Sequence, residues 1–122
     1  MQYYLVRMVS TNEVTAWALA FPESVQLPHF EKTSFRVNKK IFATLDSAKK
    51  RAVLKLSEVD QSVFCDYDKT IMYPVPGAWG KQGWTIVELK RIRKAMFKDA
   101  LQLAYCMVAP KALSEKVRDK HS

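Results

Sequence analysis

Val14, Trp17, Ala18 and Phe21 fall at i, i+3, i+4 and i+7, the apolar stripe of an amphipathic helix. Ser10 and Glu13 stand three apart ahead of it, so each side chain can take a backbone N–H of the other in a capping box. Pro22 marks the end, because proline has no N–H to continue the helical ladder. The next stretch, ESVQLPHF (residues 23–30), predicts a connection that Pro28 keeps extended. The period then changes from helical to two. TSFRV (Thr33 to Val37) sets Phe35 and Val37 on one side and Ser34 and Arg36 on the other. Asn38 and Lys39 predict a tight turn, since Asn tolerates the left-handed region such turns need. IFATL (Ile41 to Leu45) is the return strand, and Asp46 to Lys50 a polar, basic connection. RAVLKL (Arg51 to Leu56) alternates again, with Arg51 and Lys55 opposite Ala52, Leu54 and Leu56. If the apolar sets face helices, Arg36, Arg51 and Lys55 share the open face of a three-stranded meander.

Ser57 is the expected N-cap of a second helix reaching Tyr67, with Val59, Val63 and Phe64 inward. A short strand near Ile71 to Val75 precedes a loop, and WTIVEL (Trp84 to Leu89) is the fifth strand. Ala95 to Val108 forms the strongest helix, with Phe97, Ala100, Leu101, Ala104 and Val108 in one stripe and Pro110 beyond its end. KALSEKVRDKHS (111–122) predicts a turn or two of helix fraying into a tail. Residues 1–9 read as an extension, a strand or an arm that packs Tyr3 and Tyr4. The order is α-β-β-β-α-β-β-α, an α+β domain.

Length and composition narrow the class. A chain of 122 residues, 48% apolar and 26% charged, suits one globular domain. No apolar run approaches the roughly 20 residues of a membrane span, and no membrane partner is expected. The opening MQYYLVRMV lacks the basic and small-residue features of a signal peptide. Cys65 and Cys106 make no disulfide framework, so a reducing cytoplasm is expected. The net charge of +8 favours an anionic partner, and its distribution sharpens the point. Lys32, Arg36, Lys39, Lys40, Lys49, Lys50, Arg51 and Lys55 are opposed only by Asp46 within their stretch. Lys81, Lys90, Arg91, Arg93, Lys94 and Lys98 are opposed only by Glu88.

Two segments could carry recognition. The first is the predicted hairpin tip at Lys39 and Lys40, with Arg36 nearby and Lys49, Lys50 and Arg51 at the next connection. A two-stranded ribbon can enter a major groove, and its lysines displace counterions from phosphates. The competing reading is a solvated sheet edge whose lysines block edge pairing. The second segment is YPVPGAWGKQGW (Tyr73 to Trp84), which holds all three glycines. Its Gly80-Lys81-Gln82-Gly83 has the GxxG spacing of a KH clamp, but a KH loop joins two helices and this one runs into a strand. Trp79 and Trp84 are expected as core anchors, the glycines turning the backbone around them and Lys81 and Gln82 standing at an exposed tip. His29, between Pro28 and Phe30, is expected to be packed rather than reactive. No spacing suggests a metal site, and no acidic pair or Ser-His-Asp order suggests hydrolysis. Asp66 and Asp68 read as a solvated helix end. Neither an enzyme nor a cofactor is expected.

The blocks LPHFEKTSFRVNKKIFATL (27–45), RAVLKL, YPVPGAWGKQGW and VAPKAL (108–113) together resemble the MmcQ/YjbR family, in order from about Val14 to Leu113. The positions that match are His29, Phe30, Phe35, Pro76, Gly77, Trp79, Gly80, Gly83 and Trp84. The resemblance implies a single domain over 10–113 between an extension (1–9) and a tail (114–122). It also implies a two-layer α+β fold, an antiparallel sheet with helices on one face, similar to type III secretion chaperones. The family is described as carrying a double-wing DNA-binding motif, and it brings no catalytic or cofactor residues. One wing would then be Arg36, Lys39 and Lys40 and the other Lys81 and Gln82, with Lys49, Lys50, Arg51 and Lys55 lining the space between. A lysine excess favours phosphates over base edges, so duplex DNA with weak sequence preference is the expected partner. The alternative is a protein- or peptide-binding module using the open face, which apolar exposure around Phe42 and Val53 would favour. A monomer or weak dimer is expected.

Overall fold

The computed structural model describes residues 8–119. The capping box forms as read: the Ser10 N–H donates to Glu13 Oε1 and the Glu13 N–H to Ser10 Oγ, both at 3.0 Å. It opens helix α1 (Thr11–Leu19), which buries Val14 and Ala18. Just before it, the Val9 N–H donates to the Leu89 carbonyl at 2.9 Å. The tyrosines expected to pack from the extension lie outside the described residues.

Among the described residues six strands form one sheet: β1 (Val25–His29), β2 (Lys32–Val37), β3 (Lys40–Asp46), β4 (Arg51–Lys55), β5 (Met72–Pro74) and β6 (Trp84–Glu88). Their order is β1-β2-β3-β4-β6-β5, and each neighbouring pair is antiparallel. The alternation read from the sequence holds. Phe35, Val37, Ala52 and Leu54 are buried, while Arg36, Arg51, Val53 and Lys55 are half-buried on the opposite face. The extended connection before Thr33 is itself a strand, β1, at the sheet's edge. Pro28 sits within it, tolerated because an edge strand need not donate on both sides. The other edge, β5, also carries a proline, Pro74.

β2 and β3 slip register between Phe35 and Arg36. This bulge turns Phe42 to the helical side, beside Ala43. Phe42 meets the Tyr105 ring edge-on at 5.4 Å and the Phe21 ring at 6.1 Å. Tyr105 belongs to α4 (Lys94–Val108), which buries Phe97, Ala100, Leu101, Ala104 and Tyr105, the expected stripe with Tyr105 more deeply placed than Val108. The Tyr105 hydroxyl donates to the Pro22 carbonyl at 2.8 Å, so the polar tip of a buried ring finds its acceptor at the end of α1.

Helix α2 (Glu58–Tyr67) starts as expected, the Asp60 N–H donating to Ser57 Oγ at 3.1 Å. Its inward face differs from the reading: Val59 and Val63 are 72% and 64% exposed, and Cys65 is buried instead, with Phe64 partly so. The surface this helix meets includes backbone carbonyls, and Gln61 reaches them, as described below. A single turn, α3 (Ala78–Lys81), interrupts the loop before β6. At the other end α5 (Lys111–Asp119) is helical past Leu113, and Leu113, Ser114 and Val117 are buried. The stretch 114–119 is therefore docked helix rather than tail.

Candidate nucleic-acid interface

Asn38 (φ 51°) and Lys39 (φ 68°) both have positive φ, the signature of a type I′ hairpin turn. Val37 pairs with Lys40 across it, leaving Lys39 and Lys40 exposed at the tip. Arg36 lies one step back on the open face, its Nε donating to Ser34 Oγ at 2.9 Å. The glycine loop emerges at this same end, because β6 begins at Trp84 opposite Lys55, the last residue of β4. Lys81 and Gln82 are exposed there. The two tips are separated by β4, about 10 Å at the usual strand spacing. Lys55 stands between them, but it is engaged: its Nζ donates to the Gln82 carbonyl and lies 5.5 Å from the centroid of the Trp84 ring.

Lys49, Lys50 and Arg51 do not line that space. Arg51 opens β4 opposite Asp46 and Glu88, at the other end of the sheet. The seven residues of β3 lie between the two ends, roughly 20 Å. In a meander successive turns alternate ends, so basic runs adjacent in sequence are parted in space. Arg51 Nε is also paired with Glu88 Oε2 at 2.9 Å, and the Tyr73 hydroxyl donates to the same carboxylate. That hydrogen bond, with burial and the Glu88 charge, pushes the Tyr73 hydroxyl above its ordinary pKa, against the opposing charge of Arg51. At this second end the Leu89 N–H donates to the Lys50 carbonyl at 3.1 Å, which brings Lys90 beside the exposed Lys49 and Lys50. The β1–β2 turn is here too, closed by His29 opposite Lys32. Its first residue, Phe30, has φ 58° and is 93% exposed. The His29 ring is half-buried and meets the Phe30 ring at 4.9 Å between centroids.

The glycine loop is shaped by backbone rather than by its tryptophans. Trp79 is 61% exposed and Trp84 is half-buried on the open face, so neither is a core anchor. A Cβ on Gly80 would lie 1.9 Å from the Val75 carbonyl oxygen, and one on Gly83 1.9 Å from that of Leu56. The Leu56 N–H donates to the Gly83 carbonyl at 3.0 Å and the Val75 N–H to that of Trp84 at 2.9 Å. Strands and loop approach too closely here for side chains to fill the gap. Gln61 completes the arrangement, its amide donating to the Gly80 carbonyl at 2.9 Å and to Thr85 Oγ1 at 3.1 Å. Periodicity carries no signal for it, because it is a polar residue facing inward. Pro76 and Gly77 (φ 82°) are exposed before α3, and Phe35 is core.

The open face does not present Phe42, which is fully buried. It carries half-buried Val53, Ile86 and Tyr73, with Val25 and Leu27 exposed on β1. Burial, reinforced by Asp66, pushes the Cys65 thiol above its ordinary pKa, and a protonated thiol is a poor nucleophile. Among the described residues no three His, Cys, Asp or Glu side chains are grouped to hold a metal ion. Nor is any described helix long and apolar enough to cross a membrane.

The YjbR family model matches residues 19–107. The fold is similar to the crystal structure of the Deinococcus radiodurans protein DR2400, whose domain is named DUF419. The TM-score is 0.75 at 18% identity, over 93% of this chain and 88% of that one. None of the curated proteins matches.

Proposed function

The chain belongs to the YjbR family, and from that premise we propose that it binds nucleic acid, duplex DNA first, through phosphate contacts made by two turn tips. The observation that carries this reading is the shared end of the sheet from which Lys39–Lys40 and Lys81–Gln82 emerge. Arg36 supports the first tip from the strand, and Lys55 fastens the second to β4. The set is narrower than the sequence suggested, since Lys49, Lys50 and Arg51 belong to the opposite end. With lysines at the tips, the contacts fall on phosphates and sequence preference is weak.

The test is fluorescence anisotropy of labelled duplex DNA over a salt series. Lys39→Glu with Lys40→Glu lowers affinity for every sequence alike, and removing two phosphate contacts flattens the log–log salt slope by about 2. Unchanged affinity would overturn the first tip. A protein partner on the open face is the second reading, favoured by exposed Val25 and Leu27 beside Val53 and Ile86. It takes over if no DNA binds even near about 50 mM salt.

A further inference from the structure

Phe30 occupies a place where a bulky aromatic is out of keeping. The His29–Lys32 pair closes a two-residue turn, and Phe30 is its first residue with φ 58°, the position glycine takes in type II′ hairpins. Glycine or asparagine adopts positive φ readily, while a bulky side chain is a genuine outlier there. The ring gains no burial in return, being 93% exposed. It is nevertheless held, because the half-buried His29 ring meets it edge-to-face at 4.9 Å. Nothing in the fold's own stability calls for a phenylalanine at this point.

Its surroundings indicate what the ring is for. Lys32 closes the turn. The β3–β4 turn, with exposed Lys49 and Lys50, opens at the same end, and Lys90 follows the Leu89 that is bonded to Lys50. These cations run from β2 across to the end of β6, three strand steps or about 14 Å at the usual strand spacing. Asp46 is turned to the backbone, accepting the Lys49 N–H at 3.1 Å, and Glu88 is paired with Arg51. A row of lysines ending in a presented aromatic ring combines a track for a phosphate backbone with a platform for a base.

We propose that the Phe30-tipped β1–β2 turn is a base-stacking finger for single-stranded nucleic acid, whose phosphates lie along Lys32, Lys49, Lys50 and Lys90. The inference shares with the function proposed above only the class of ligand, and it uses the opposite end of the sheet. A single strand fits better than a duplex because paired bases already cover one another's faces, whereas an unpaired base has a free π-face. A protein pocket is less well matched, since Phe30 is followed by the exposed, charged Glu31 and Lys32. An anionic membrane usually takes a broad apolar face, and here there is one ring.

The experiment measures anisotropy of a labelled oligodeoxythymidine strand and of a labelled duplex with wild-type protein, Phe30→Gly, Phe30→Tyr, and the Lys39→Glu/Lys40→Glu double variant. Phe30→Gly should weaken strand binding about tenfold, and Phe30→Tyr should restore it. Duplex binding through the other end should not change. The urea midpoint of Phe30→Gly should stay the same or rise, since glycine suits the positive φ; a merely structural residue would lower it. Strand binding by Phe30→Gly equal to wild type overturns the finger, whatever the duplex does. If the double variant loses duplex binding in that case, the tips at the first end stand alone. If wild-type protein binds neither strand nor duplex, both readings fall. Binding to vesicles of anionic lipid that depends on Phe30, with none to the strand, overturns the inference in favour of a membrane.

Discussion

Glycine 80 and glycine 83 are the least replaceable residues of the loop, and for a reason unrelated to flexibility alone. Each lies where a side chain would meet a carbonyl oxygen at 1.9 Å, and backbone cannot yield as a side-chain tip does. Gly80→Ala and Gly83→Ala should each cost roughly 2–3 kcal/mol in urea unfolding. At Gly77 a Cβ meets nothing within 4 Å, but φ 82° with ψ −152° is a conformation essentially reserved for glycine, so its alanine variant should lose about 1–3 kcal/mol through backbone strain instead. Gly80 isolates the contact because its φ is not positive, so a Gly80→Ala loss of about 0.5 kcal/mol or less would refute the close-approach account. The glycine-rich composition made the loop legible, and the positive φ at Asn38 was legible too. The role of the tryptophans was not. Concentrated aromatics suggested anchors, but the contacts that hold the loop are backbone carbonyl and amide groups, which every sequence shares, joined by the one side-chain amide of Gln61.

At the scale of elements, the clearest local signal was the pairing of Ser10 with Glu13, and it forms. Glu13 does more than cap, for its Oε2 is also 2.8 Å from Lys94 Nζ, joining the start of α1 to the start of α4. The hydrogen bonds from Lys94 and from the Ser10 backbone hold its carboxyl below the usual value of 4.5. A depressed carboxylate stabilises the fold above its unfolded pKa, and that contribution is lost as pH falls through the folded value. Glu13→Gln should therefore melt a few degrees below wild type at neutral pH, and the difference should shrink toward zero as pH falls below the carboxyl's depressed folded value. A gap that stayed constant with pH would mean that the charge is irrelevant. Other elements were less legible. The inward face of α2 departs from the stripe that Val59 and Val63 fit, because the groove it meets requires the amide of Gln61. β1 stands where the sequence predicts a connection, because Pro28 is a poor strand residue except at a sheet's edge.

For the whole molecule, the three-stranded meander and the facing of Arg36, Arg51 and Lys55 could be read from alternation and turn residues, while the antiparallel sheet as a whole was what the family resemblance implied. The partition of charge could not. Two basic runs close in sequence separate to opposite ends because a meander reverses direction at each turn. The candidate site thus divides into a lysine-tipped end and an end where cations accompany Phe30.

Both outermost strands carry a proline, Pro28 in β1 and Pro74 in β5. An exposed sheet edge is a template on which further copies can add, strand upon strand, and a missing donor interrupts that growth. The β1 edge has more need of this protection, being longer and bearing exposed Val25 and Leu27. Pro28→Val should therefore leave a folded protein whose light scattering rises with concentration and time, while wild type stays clear. If the variant scatters no more than wild type, the proline is dispensable to the edge. Otherwise, how concentrated this protein can become before it clumps is set in part by one ring at its margin.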